Sequence, residues 1–224
     1  MIIIAGNAHI ALANQVAQAL NCAVIMADIR PFGDQELRVQ IKGDLRNQDI
    51  AIFQSVSNPV NDNLMALLLM ADTAKRAGAK SITAIAPYLG YSRQDRLSYH
   101  HGPISASLVS SLIETAGINR LITIDLHAKQ SEGFFKIPVQ NLDPISLFSP
   151  LFKDMDNAMV VAPDVGGLLR AQRLSVNLGT ELALVNKRRT TDGNCAIDSI
   201  IGSVRDKNCI IIDDIMDTGN TLCK

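Results

Sequence analysis

IAIFQSVSNPVNDNLMALLLMADTAKRAGAKSITAIA, residues 50–86, is the stretch whose reading decides the fold class. Ile50–Phe53 and Ile82–Ala86 are short apolar runs with many β-branched residues, the pattern of strands buried on both faces of a parallel sheet. Between them, Asn61–Ala77 places Leu64, Leu67, Leu68 and Ala71 on one helical face and stops at Gly78. Strand, helix, strand is the α/β signature. Moving outward, similar runs stand at Ile2–Ala5, Ala23–Ala27 and Leu121–Ile124, and a second series at Met159–Ala162, Leu182–Val185 and Ile210–Ile212. Pro103–Ala116 reads as a helix with Pro in its first turn, and Gly166–Leu178 as one stopped by Gly179. The two series meet near Asp143–Pro150, so the sequence predicts two consecutive α/β halves, residues 1–145 and 146–224, with mainly parallel sheets. Strands near 160, 183 and 211 would form a three-stranded sheet with an open edge. The second domain is therefore expected to be incomplete and the chain cut short.

Composition narrows the function. The chain has 224 residues, 47% hydrophobic and 19% charged, which is a globular composition. Aromatic residues make up 4%, Trp is absent and the formal net charge is -1. A nucleic-acid binder needs stacking platforms or a dense basic face, and neither is present. A small anionic substrate needs only local positive charge. The four cysteines show no CxxC pair, which excludes the usual zinc spacings and a disulfide framework. The amino terminus lacks a basic region before its apolar run, and no run of about 18 apolar residues occurs. The expectation is a cytoplasmic protein without a membrane or nucleic-acid partner.

The strongest chemical signal is CIIIDDIMDTGNT, residues 209–221. An apolar strand delivers Asp213 and Asp214 at its carboxyl end, where open α/β sheets bind ligands. The turn Asp217-Thr218-Gly219-Asn220-Thr221 can aim backbone N–H groups at a phosphate. Read alone, an Asp pair at a strand end is also compatible with a solvated tip beside a capped helix. Arg93-Gln94-Asp95-Arg96 follows a strand in a Pro/Gly/Tyr loop. Its guanidinium groups suit bidentate phosphate contact, and a salt-bridged surface loop would read the same. His127 fits either a hydrogen-bonded structural histidine or a metal contact, and Mg²⁺ prefers oxygen. Asp164 precedes Gly166-Gly167, a pair that permits close backbone approach or simply a tight turn. Lys187-Arg188-Arg189 is either a solvated basic patch or charge placed where a transferred phosphoryl group needs it.

Taken in order, these segments resemble the ribose-phosphate diphosphokinases (phosphoribosyl pyrophosphate synthetases), and the second half also resembles type I phosphoribosyltransferases. The resemblance lies in YLGYSRQDR (88–96), DLH (125–127), GFFKIPV (133–139), PDVGG with Arg170-Ala171 (163–171), KRR (187–189) and DDIMDTGNT (213–221). It implies two phosphoribosyltransferase-like domains, an ATP side in 1–145 that also makes subunit contacts and a ribose 5-phosphate side in 146–224. By resemblance, Arg93, Gln94, Asp95 and Arg96 bind ATP, with Phe32, Asp34 and Glu36 of PFGDQELRV completing a neighbouring subunit's nucleotide pocket. His127 and Asp164 belong to the Mg²⁺–ATP site, and Lys187 and Arg189 form the catalytic pair. Asp213, Asp214, Asp217, Thr218, Gly219, Asn220 and Thr221 hold ribose 5-phosphate. The implied reaction moves pyrophosphate from ATP to ribose 5-phosphate, giving 5-phosphoribosyl diphosphate and AMP for nucleotide biosynthesis, in a homo-oligomer of dimers assembling to a hexamer. The competing readings are a phosphoribosyltransferase and a non-catalytic synthetase-associated subunit. Two positions depart from the family: Gln35 stands where Gly is usual, and the last motif reads Gly219-Asn220-Thr221 instead of having Gly next to the final Thr.

Overall fold

A computed structural model of the chain describes residues 1–97, 100–189, 195–216 and 219; the side chains of 187–189 and 195–197 lie outside the description. The chain divides into two compact units, Met1–Leu142 and Asp143–Lys224.

The first unit is a seven-stranded sheet. Its strands are β1 (Ile2–Ala5), β2 (Ala23–Pro31), β3 (Leu37–Ile41), β4 (Asp49–Phe53), β5 (Ser81–Ala86), β6 (Arg120–Ile124) and β7 (Val139–Leu142). Spatial order is β3-β2-β1-β4-β5-β6-β7, with all neighbours parallel except the β2–β3 hairpin. The apolar runs are continuous because both faces are covered. Ile4, Ile50 and Ile52 enter the core shared with α2 (Val60–Arg76) and α3 (Ser105–Thr115). Their neighbours Ile3, Ala5, Ala51 and Phe53 face the opposite side and pack on Ala13 and Ala17 of α1 (Ile10–Ala19). Period-two alternation thus feeds two cores at once. Helix α2 carries Asp62 in its first turn and Lys75 and Arg76 in its last, which suits the helix dipole. Pro103 lies outside α3, whose first turn begins at Ser105, because the preceding Ile104 is held in a non-helical conformation.

At the carboxyl tips of β1 and β4 the chain buries an amide. Gln54 is 0% exposed. Its Nε2 donates to Asn7 Oδ1 and Asn63 Oδ1, each at 3.0 Å, and its Oε1 accepts from the Ala8 N–H at 3.3 Å. A Cβ on Gly6 would stand 2.0 Å from that Oε1, so only glycine fits there without displacing the amide.

Among the described residues the second unit has four strands, not three: β8 (Ala158–Ala162), β9 (Glu181–Arg189), β10 (Cys195–Ile201) and β11 (Asn208–Ile211), in the order β10-β9-β8-β11. Strand β10 is the addition. It runs antiparallel along β9 with a register shift between Ile197 and Ser199. Its CAIDSII composition, with polar residues inside the run, hides it from a search for uniformly apolar parallel strands. The pairing also explains why β9 continues through Lys187-Arg188-Arg189, past the apolar Leu182–Val185 read from sequence. The junction near Asp143–Pro150 is itself helical, α4 (Ile145–Phe152). It shares a core with α5 (Leu168–Leu178), Val160, Ala162, Ile210 and Ile212. Helix α5 ends at Gly179, whose φ of 67 supplies the left-handed cap.

Candidate functional site

In the second unit, β8 and β11 are parallel neighbours in register, Val161 opposite Ile211. The chain segments leaving them, Pro163-Asp164 and Ile212-Asp213-Asp214, therefore emerge side by side. Asp164 Oδ1 accepts from the Gly167 N–H at 3.0 Å, which satisfies a donor at the start of α5. A Cβ on Gly167 would be 3.8 Å from the Ile212 carbonyl, so helix start and strand tip lie close together. Arg170, in the first turn of α5, is 8% exposed, and its Nη1 stands 3.8 Å from Asp214 Oδ1. Asp213 Oδ1 accepts from the Asp214 backbone N–H at 2.9 Å. Burial, then the Asp214 side-chain hydrogen bond and the charges of Asp214 and Asp164, raise the Asp213 pKa to about 6, against the lowering effect of that backbone bond. Among the described residues, three carboxylates and one guanidinium thus gather around a strand tip and a helix start.

In the first unit, adjacent tips carry two other loops. The loop after β5 holds Arg93–Arg96, and the segment after β6 holds exposed His127, followed by a 3₁₀ turn, Lys129–Phe134. Gln130 Nε2 donates to Asp95 Oδ2 at 3.2 Å, tying the two loops together. The Asp95 side chain is 7% exposed, with Arg96 Nε at 4.0 Å. Ser105 Oγ donates to Gln94 Oε1. Arg93 and Arg96 are exposed. Phe32, Asp34 and Glu36 occupy the β2–β3 turn, where the Phe32 N–H donates to the Glu36 carbonyl at 2.7 Å. Strand β2 is three strands from β5, so roughly 14 Å at least separates this turn from the arginine loop. Within one chain the structure does not bring the two together.

Over residues 1–117 the chain matches the family model for the N-terminal domain of ribose phosphate pyrophosphokinase, and over residues 146–224 that for a phosphoribosyl transferase domain. It is 45% identical over 227 residues to the ribose-phosphate pyrophosphokinase of Mesorhizobium japonicum, covering 100% of this chain and 73% of that protein. To its counterpart in Agrobacterium fabrum it is 47% identical over 226 residues, again 100% and 73%. The chain belongs to the ribose-phosphate pyrophosphokinase family. The crystal structure of phosphoribosylpyrophosphate synthetase from Mycobacterium smegmatis superposes with a TM-score of 0.91 at 37% identity, covering 99% of this chain and 74% of that one. The α/β architecture with mainly parallel sheets is thus that of the pyrophosphokinase family.

Of the residues expected from sequence, the structure gathers Asp164, Asp213 and Asp214 in the second unit, and Arg93–Arg96 beside the His127 segment in the first. Asp217, Thr218, Asn220 and Thr221 lie outside the described residues, as do the side chains of Lys187 and Arg189; Gly219 has φ 74. Gln35, where the resemblance implies glycine, holds a left-handed φ of 74, a glycine-like turn around a larger residue. Arg170 stands in the motif at 163–171, but its role at the site was missed from sequence. Its signal was a basic residue three positions into a helix opened by Gly-Gly, where acidic residues are usual.

Mg²⁺ was expected by resemblance. The acids at the β8 and β11 tips offer only oxygen donors, and burial first, then the neighbouring Asp214 and Asp164, makes Asp213 retain its proton more tightly than an ordinary carboxyl. A hard divalent cation suits that donor set. Among the described residues no group of three His, Cys, Asp or Glu is arranged to hold a metal alone.

Proposed function

We propose that the protein transfers pyrophosphate from ATP to the anomeric hydroxyl of ribose 5-phosphate, giving 5-phosphoribosyl diphosphate and AMP. The observation that carries this reading is similarity at 45% and 47% identity, along the whole chain, to enzymes named ribose-phosphate pyrophosphokinase. Residues 1–145 form the ATP side and 146–224 the ribose 5-phosphate side.

The anomeric oxygen attacks the β-phosphorus of ATP and forms a new O–P bond. The bond from the β-phosphorus to the oxygen bridging it to the α-phosphorus breaks, AMP departs with that oxygen, and the hydroxyl proton passes to solvent. Arg93 and Arg96 neutralise nucleotide phosphates, and Gln94 and Asp95 shape the same loop. Phe32, Asp34 and Glu36 serve a neighbouring subunit's nucleotide, a role supported by the distance of their hairpin from β5 in the strand order. Asp213 and Asp214 accept hydrogen bonds from sugar hydroxyls, and Asp217–Thr221 cradles the 5-phosphate through backbone N–H groups. Lys187 and Arg189 meet the negative charge that builds up during transfer. Asp164 and His127 would hold Mg²⁺, which when bound would supply charge neutralisation on the polyphosphate. Catalysis is positioning and electrostatics, without a covalent enzyme intermediate.

Assembly of dimers into a hexamer and a cytoplasmic location belong to the same proposal. No helix among the described residues is long and apolar enough to cross a membrane. The test is incubation of the purified chain with ATP, ribose 5-phosphate and Mg²⁺, following AMP by chromatography. AMP must form only when the sugar phosphate is present, and Lys187→Ala must lower kcat by about a hundredfold or more. Absence of AMP from an assembled, folded protein refutes the reading. Pyrophosphate release on supplying 5-phosphoribosyl diphosphate and a base would favour a phosphoribosyltransferase instead.

A further inference from the structure

Arg170 is placed where two physical rules oppose it. It lies in the first turn of α5, where the helix dipole is positive and the remaining residues supply no acid. It is also 8% exposed, and arginine is seldom buried without a partner. Its nearby partner is Asp214, whose side chain, like that of Arg170, is 9% exposed. Arg170 Nη1 stands 3.8 Å from Asp214 Oδ1.

The two adjacent acids are therefore held differently. Asp213 is tethered by a backbone N–H and Asp214 faces a buried guanidinium. We infer that Arg170 is a positioning residue for ribose 5-phosphate, acting through Asp214 to fix its carboxylate for a sugar hydroxyl. The inference rests on the proposed role of the strand-tip acids. Two features make Arg170 suited to it. It projects from a turn packed against the strand tip at Gly167 and Ile212, so its base is rigid. Without it, Asp164, Asp213 and Asp214 would face a phosphorylated sugar without the guanidinium charge that Arg170 brings to the strand tip, and would repel it more strongly.

The experiment is calorimetric titration of the full chain with ribose 5-phosphate and, separately, with inorganic phosphate. Arg170→Lys keeps the charge and loses the planar fork. It is expected to weaken ribose 5-phosphate binding about tenfold and to leave inorganic phosphate binding unchanged. In an Asp214→Asn background the same substitution is expected to have no further effect, because its route to the sugar is already removed. Arg170→Met, if its melting temperature is retained, should weaken the sugar phosphate more than Arg170→Lys does. Equal effects of Arg170→Lys in both backgrounds, an unchanged Kd, or parallel loss of inorganic phosphate binding each overturn the inference. If the unmodified protein binds inorganic phosphate and not ribose 5-phosphate, the functional proposal fails and the positioning role falls with it.

Discussion

Replacing Gln54 by Leu tests whether the buried amide at the β1–β4 tips holds the first unit together. The side chain is 0% exposed and makes three contacts of 3.0–3.3 Å, to Asn7 Oδ1, Asn63 Oδ1 and the Ala8 N–H. Leucine fills much of the volume and satisfies none of them. Asn7 is exposed and takes water in exchange. Asn63, 4% exposed, cannot, and the Ala8 N–H is half-buried. A buried orphan costs about 1–3 kcal/mol, so one full and one partial orphan give about 2–4 kcal/mol. For a unit of this size that is a fall in Tm of roughly 6–12 °C. Scanning calorimetry gives the shift, and hydrogen exchange at Ile3–Ala5 and Ala51–Phe53 assigns it to the first unit. Asn7→Ala, which removes only the exposed partner, should cost under about 1 kcal/mol. A fall below about 2 °C for Gln54→Leu, or equal costs for the two variants, would refute the reasoning.

Two further outcomes follow from local physics. Asp213 has its folded pKa raised to about 6 from 3.8, so the folded state binds the proton more tightly than the unfolded chain. Its contribution favours folding below pH 3.8 and is lost as pH rises towards 6. Asp213→Asn should therefore stabilise the second unit increasingly across that window and level off above it, by on the order of 1 kcal/mol after solvent screening; melting curves at several pH values check this, and a pH-independent difference contradicts it. At Gln35, with φ 74, a β-branched residue is strained where glycine is not. Gln35→Val should cost about 1–2 kcal/mol of hairpin stability and Gln35→Gly less than about 0.5, read from exchange of the Phe32 N–H.

Strands β1, β4, β5, β6 and β8 were legible because burial on both faces demands unbroken apolar runs, and a strand-tip acid pair after such a run marks a ligand-binding end. Family membership was legible in the ordered motifs. Helix α4 and strand β10 were not, since α4 lies where the two apolar series join and an antiparallel edge strand needs only partial burial. Arg170 stands in the motif at 163–171, yet its role at the site was not legible, for a related reason. One-letter patterns record that an arginine follows Gly-Gly, while its value depends on being desolvated against Asp214, some 44 positions later. The raised proton affinity of Asp213 has the same origin: spacing places the acids in the chain, and only the folding of β8, β11 and α5 against one another buries Asp213 and crowds the acids together.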